Sequence, residues 1–411
     1  MTDHRSQPNA AARPLDGVRV VEFASFVAGP SSGMALAQLG AEVIRVDPVG
    51  GNADYRRWPL SDRTGESLYW TALNRGKKSV QLNLRTDEGR DLLLALATAP
   101  GPDAGIVVDN AVGRSWLSYE ALAARRGDVI AVRVEGRADG GGAVDYTVNG
   151  AAGIASMTGA PECERPVNHV LPAWDLLCGQ EVVTAVLASL RRRDRTGVGA
   201  HVQIALADVA LAAVANLGWY SEAAERGARP RHGNHLYGSF GTDFATADGD
   251  RVMIVALTPR QWAAIGHATG TTSVFTALAG SLGTDFDTDE GRYRHREVIE
   301  AVLRPWFAAR STSAVTAQLS RSGVLWGPYR STAQVAADVA ADPAAAPVLT
   351  ALDQPGIGEV IAAHAPARYD EAYSGSAPAV ALGHDTDAVL GEVLGFDDAA
   401  LRRLRADGVI A

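Results

Sequence analysis

The chain has 411 residues, too many for a single hydrophobic core, so two domains are expected. Its apolar fraction of 47% is that of a globular protein, and no run of eighteen apolar residues occurs, so no membrane span is predicted. A net charge of −9 argues against a nucleic-acid surface, and the two cysteines, Cys163 and Cys178, show no metal spacing and suit a reducing, cytoplasmic setting.

Residues 1–14 are polar, lack the apolar stretch of a signal peptide and read as a loose tail. Residues 18–24 (VRVVEFA) form a short β-branched run, a buried strand. Pro30 and Ser31 open a helix that Gly40 closes, and residues 42–47 (EVIRVD) are the next strand. Strand, turn, helix and strand in about thirty residues make a βαβ unit. The turn at 28–33 (AGPSSG) is not GxGxxG and supports no nicotinamide cofactor. The segment RRWP (56–59) precedes NRGKK (74–78), which leads into a strand at 79–84. Arg45, Arg75, Lys77 and Lys78 thus place positive charge at the mouth of a parallel sheet, where such folds bind phosphate. The same residues would equally suit a solvated loop.

Asp87 caps a helix to Ala97, 105–109 is a buried strand ending in Asn110, 119–126 is helical and 129–134 is a further strand. The alternation predicts a doubly wound α/β domain with a mostly parallel sheet. A glycine-rich loop (136–142) and the segment VDYTVN (144–149), with Asp145, follow. The stretch VNHVLPAWD (167–175) is central. Pro172 fits the first turn of a helix that continues apolar through Val182, Val183, Val186 and Leu190 to Gly197. Asp175 lies in that first turn, where the helix dipole and free N–H groups favour a carboxylate and keep it ionised, as a nucleophile must be. The local pattern alone also describes an ordinary first-turn acid.

A short strand at 201–204 and a long apolar helix at 208–225 come next, then RPRHGNHLYG (229–238), which reads as a linker. Strands at 240–246 and 251–257 flank ADGD (247–250), a hairpin signal. Helices follow around 259–269, 297–310 and 312–321. The expected organisation is a large α/β domain from 15–227 and 331–411, with a small α+β domain from 228–330. LGHDTD (382–387) opens a last helical pair.

Taken together, PLDGVRVVE (14–22), AGP (28–30), LGAEVIR (39–45), NRGKKS (74–79), SMTG (156–159), TGVG (196–199) and LGHDTD (382–387) resemble the class III CoA transferases, a family that also contains α-methylacyl-CoA racemases. The resemblance covers residues 14–411 and implies an α/β domain built from both chain ends, an inserted smaller domain and an interlocked homodimer. It implies an acyl-CoA thioester as substrate, Asp175 as nucleophile, and no metal or cofactor beyond CoA itself. One branch fits best through VNHVLPAWD (167–175), VDYTVN (144–149), RHGNHLYG (231–238), MIVALT (253–258) and QPGIG (354–358). Its members move CoA between the two carboxyls of one branched unsaturated dicarboxylate such as 2-methylfumarate.

In that reading Asp175, Asp145 and His169 are the catalytic candidates. Arg45, Asn74, Arg75, Lys77, Lys78, Asn110 and Arg114 hold CoA, and Val27, Asn168, His235 and Tyr237 line the substrate. Asp145 resembles an acid that supports the anhydride steps, and equally fits a helix N-cap. The histidines, His232 included, also fit structural roles, and Cys178 reads as core. The glycine-rich loop at 136–142 is a candidate oxyanion donor. Val144 stands near where racemases place a His, and an aliphatic side chain exchanges no α-proton. Val27 stands where formyl-CoA transferases carry a Gln. An intermolecular transferase with a dicarboxylic acceptor, a racemase and a non-enzymatic CoA-binding module are the rival readings.

Overall fold

The computed structural model describes residues 13–411, so most of the expected tail lies outside the described residues. Contacts divide the chain into two compact units, one of residues up to 152 with 170–221 and 336–411, the other of 153–169 and 222–335.

The first unit is built from β1 (Arg19–Phe23), α1 (Ala28–Gln38), β2 (Glu42–Pro48), α2 (Leu68–Leu73), β3 (Lys78–Leu82), α3 (Asp87–Ala97), β4 (Ile106–Asp109), α4 (Tyr119–Arg125), β5 (Ile130–Glu135) and α5 (Asp145–Ala151). After α6 (Ile154–Met157), which belongs to the second unit, come α7 (Ala173–Thr196), β6 (Ala200–Ala205) and α8 (Leu206–Asn216). The six strands pair in parallel in the order β3-β2-β1-β4-β5-β6, the doubly wound arrangement the alternation predicts. Successive side chains of a strand face opposite ways, so each strand supplies both layers. Val20, Val43, Ile106, Val108 and Val132 pack with α1, α7 and α8 residues such as Leu36, Val182 and Val186. Val21, Ile44, Val46, Val80 and Val107 pack with Leu92, Leu93 and Leu96 of α3 on the other face.

Helix α7 is long and apolar enough, by length and composition, to cross a membrane. It is a core helix here: Val182, Val183, Val186 and Leu190 face the sheet layer, while Arg191, Arg192 and Arg195 are exposed. Thr86, rather than Asp87, caps α3, accepting the Gly89 N–H at 3.1 Å. The apolar run after β6 breaks at Gly218, whose φ of 75° ends one helix before α9 (Trp219–Arg226) starts.

The second unit holds an antiparallel sheet of β7 (Phe240–Ala245), β8 (Arg251–Ala256) and β9 (Leu325–Pro328), in that order. Around it lie α10 (Pro259–Thr269), α11 (Thr272–Leu282), α12 (Asp289–Arg294), α13 (Arg296–Ala308) and α14 (Thr312–Leu319). Phe240, Phe244, Trp262, Phe275, Phe286 and Phe307 form its core. Residues 229–238 are no linker. They fold into this unit, where Gly233 N–H bonds Gly159 O, Leu236 N–H bonds Gly241 O, and His232 Nε2 lies 2.6 Å from Tyr293 Oη. Residues 153–169, expected in the large domain, also pack here.

After α15 (Thr332–Ala341), a hairpin of β10 (Leu349–Gln354) and β11 (Gly358–Ala363) turns at the PGI of QPGIG, and α16 (Thr386–Leu394) and α17 (Asp398–Ala406) return to the first sheet. LGHDTD now has a physical reason. Asp385 Oδ2 accepts Ser79 N–H at 2.8 Å and Thr386 Oγ1 accepts Gln81 N–H at 3.1 Å, so the motif satisfies the open edge of β3. Gly383, at φ 75°, lets the chain pass: a Cβ there would lie 2.5 Å from Gln81 Oε1.

Candidate active site

Pro172 at the head of α7 offers no side-chain acceptor, and the helix is capped from elsewhere in the fold. Asp145, the first residue of α5 and 1% exposed, accepts Trp174 N–H at 2.7 Å and Asp175 N–H at 3.2 Å through one carboxylate oxygen, Oδ2. Four residues on, one turn along the same face of α5, Asn149 Oδ1 accepts the Trp174 indole N–H at 3.1 Å. Asp175 is therefore fixed beside a second acid.

This corrects the electrostatic expectation for Asp175. Burial first, and the Asp145 charge second, raise its pKa to about 6, against a lowering by Arg57. The first-turn amides that would favour the Asp175 carboxylate are bonded to Asp145 instead. At neutral pH Asp175 is still mainly ionised, and a carboxylate of raised pKa is a stronger nucleophile than an ordinary one. One turn further, burial pushes the Cys178 thiol up to about 12, so it is a core residue rather than a nucleophile.

Beside Asp175 lies an aromatic and basic group that the sequence did not single out. The Arg57 guanidinium sits over the Phe26 and Tyr69 rings, at 5.5 and 5.3 Å. The Tyr69 phenol is held at about 12, by burial first, and its environment includes the charges of Arg57 and Asp175. Phe26 takes a left-handed backbone, φ 69°, and its N–H bonds Asp54 Oδ2 at 2.9 Å.

Three expected CoA ligands have another task. Arg45, Lys77 and Asn74 are buried with Glu22, Asp47 and Asp54 in one polar cluster. Arg45 donates to Asp47, Glu22, Asn74 and Asp54; Lys77 Nζ lies 2.8–2.9 Å from both Glu22 oxygens, Pro30 O and Asn74 Oδ1. All three Lys77 donors are used, and burial lowers its pKa to about 8. Neither cation can turn to a phosphate without breaking buried pairs. Helix α1 rests on the cluster at Gly33, where a Cβ would lie 1.7 Å from Glu22 Oε2.

The other candidates are dispersed. Arg75 donates to Ala72 O, Ala363 O and Ser376 Oγ, beside a cavity of 670 Å³ lined also by Arg63 and Ala363. Lys78 pairs with Glu42 and Glu392. Asn110, at the end of β4, exchanges two hydrogen bonds with the Ser25 backbone. Val27 is the buried N-cap of α1. Gly141 N–H bonds Asp139 Oδ1 at 2.9 Å, so that amide of the glycine-rich loop serves the loop itself. Asn168 and His169 belong to the second unit, as do His235, 3.2 Å from Glu300, and Tyr237, whose hydroxyl donates to Glu222.

Arg114 is exposed, over the Phe23 ring, and with Arg85 lines a 510 Å³ cavity together with Pro48, Val49 and Asn83. This cavity lies at the carboxyl ends of β2, β3 and β4, the binding side of a doubly wound sheet. Neither arginine has a carboxylate partner among the described residues. The sequence signal for Arg85 was its position just past the strand expected at 79–84, three residues beyond the end of β3.

A sequence model of CoA-transferase family III matches residues 15–386. Over 399 residues the chain is 45% identical to 2-methylfumaryl-CoA isomerase of Chloroflexus aurantiacus, covering 97% of this chain and 98% of that one. It is 29% identical to succinyl-CoA–D-citramalate CoA-transferase of the same organism, over 97% of this chain and 98% of that one. Its structure resembles that of a CaiB/BaiF family protein from Brucella suis, with a TM-score of 0.74 and 27% identity over 93% of this chain and 100% of that one.

Proposed function

The chain belongs to CoA-transferase family III, and on that premise we propose that it moves CoA between the C1 and C4 carboxyls of 2-methylfumaryl-CoA. The observation that carries this reading is the near full-length, 45% likeness to a relative of that activity. The pairing of Asp175 with Asp145 supports the chemistry.

In the proposed sequence the Asp175 carboxylate attacks the C1 thioester carbonyl; the C–S bond breaks, CoA leaves as thiolate and a mixed anhydride remains. The thiolate attacks the Asp175 carbonyl, giving an aspartyl-CoA thioester and a free dicarboxylate. The acid turns, its other carboxylate attacks the aspartyl thioester, and CoA leaves again. The thiolate then attacks the C4 acyl carbon of the new anhydride, releasing the C4 thioester and the Asp175 carboxylate. Each half reverses the other, so no proton or electron is gained or lost and no group beyond CoA is called for. Asp145 holds the head of α7 and keeps Asp175 basic; Arg85 and Arg114 take the CoA phosphates. We assign the working state to a homodimer, in keeping with the exposure of Val170 and Leu171.

A second reading, intermolecular transfer to a separate dicarboxylic acid, draws on the relative that is a succinyl-CoA–D-citramalate CoA-transferase. One experiment separates the two. The C1 thioester of 2-methylfumarate is incubated with the protein and isotope-labelled free acid, and the C4 thioester is isolated. Unlabelled product supports the intramolecular reading, labelled product the intermolecular one, and absence of product overturns the substrate assignment.

A further inference from the structure

We infer that Arg57 is the specificity residue of this enzyme, holding the substrate carboxylate that Asp175 does not engage. The inference rests on the dicarboxylate reading above and extends it to a named recognition group.

Arg57 is exposed and has no carboxylate partner among the described residues. It is not a loose surface side chain, because its surroundings are held. The Ser67 hydroxyl donates to Arg57 O at 2.5 Å and also caps α2 by accepting Trp70 N–H at 3.0 Å. The Phe26 ring is set by its left-handed backbone and its bond to Asp54, which is itself held by Arg45 in the buried cluster. The Tyr69 ring projects from α2. The guanidinium lies over these rings, and its N–H groups have no hydrogen-bond partner among the described residues, so they can meet a planar acceptor in the paired geometry of carboxylate recognition. Tyr69 Oη is buried without a hydrogen-bond partner among the described residues, a second donor beside the same cation.

The charges at the site demand such a group. Asp175 and Asp145 already crowd two acids together, and a C4 diacid thioester adds a third carboxylate. A buried anion without a partner is costly. Arg57 is a cation whose charge reaches Asp175. In the C1 thioester the distal carboxylate is C4, and in the C4 thioester it is C1. One cation thus serves both directions, and the freed acid reorients by exchanging its two ends between Asp175 and Arg57.

The test compares 2-methylfumaryl-CoA with the same thioester carrying its distal carboxylate as a methyl ester. Formation of the covalent enzyme–CoA adduct is followed by mass spectrometry above about pH 8, well above the value of about 6 at which Asp175 is held. Wild type should prefer the free carboxylate by about 100-fold in kcat/KM, and Arg57→Gln should shrink that ratio about 30-fold. Arg57→Lys, a point charge without the fork, should retain part of it. Calorimetry with free 2-methylfumarate should show at least about tenfold weaker binding to Arg57→Gln than to wild type. A preference ratio that stays within about threefold of wild type, with both substrates slowed alike, overturns the assignment and leaves Arg57 structural. The parent reading fails separately. A protein that binds the diacid through Arg57 yet isomerises no thioester keeps this assignment and loses the isomerase.

Discussion

One oxygen of the Asp145 carboxylate accepts the backbone N–H groups of both Trp174 and Asp175, so one acid occupies the helix head that carries the other. Asp145 and Asp175 are thirty positions apart in sequence, and the two hydrogen bonds fix the Asp145 oxygen to the backbone amides of Trp174 and Asp175 at the start of α7. The arrangement ties the ionisation of Asp175 to a residue that need not touch the substrate.

That tie sets a pH dependence. In the proposed mechanism Asp175 must be ionised, so with its pKa raised to about 6 activity should fall as pH drops through that value. A plot of kcat/KM against pH should turn down near 6 and fall about tenfold per unit below it. Asp145→Asn keeps a capping oxygen and removes the charge, so it should move the turn to lower pH while reducing the plateau. An acid limb left in place by Asp145→Asn would show that burial alone sets the shift.

Replacing Asp175 by Asn should abolish turnover and also stabilise the fold. The sign follows from the direction of the shift: a carboxyl raised from 3.8 to about 6 is penalised in the folded state wherever it is charged. The penalty is full above about pH 6, declines between about 6 and 4, and is absent below the unfolded value. Urea unfolding of Asp175→Asn should show a gain of about 1–3 kcal/mol at about pH 7.5 that disappears by about pH 4. A destabilised variant at the higher pH would contradict the electrostatic account.

The two sets of cations should separate cleanly by assay. Removing one partner of the buried cluster, as in Lys77→Met or Arg45→Met, should cost about 3–5 kcal/mol of stability, because charges are stranded. Arg85→Gln with Arg114→Gln should leave unfolding midpoints nearly unchanged and raise KM for the CoA thioester about tenfold or more for each arginine replaced. The converse pattern would return CoA binding to the residues first expected for it.

Gly33→Ala tests how closely α1 approaches the cluster. Its Cβ would meet Glu22 Oε2 at 1.7 Å, and the carboxylate cannot yield without loosening Lys77 and Arg45. The expected cost is about 1–3 kcal/mol by chemical denaturation. A neutral substitution would mean that the cluster tolerates displacement.

By itself the sequence determined those features whose cause is local. β-branched runs gave the strands of the parallel sheet, Pro172 and Gly197 bracketed α7, and ADGD marked the hairpin of β7 and β8, since each signal acts over a few residues. The family was legible from motifs spread in order along the chain, and the motif around Asp175 made that residue the proposed nucleophile. Only the tertiary structure decided what each charge does. Arg45 and Arg57 are the same residue type twelve positions apart, yet one is buried among carboxylates and the other is exposed on aromatic rings beside Asp175. The cap from Asp145, the packing of 229–238 and the closing of the β3 edge by Asp385 and Thr386 all join distant segments. Burial and the choice of partner are set by such contacts, and they decide whether a cation holds the fold together or is left free to meet a substrate.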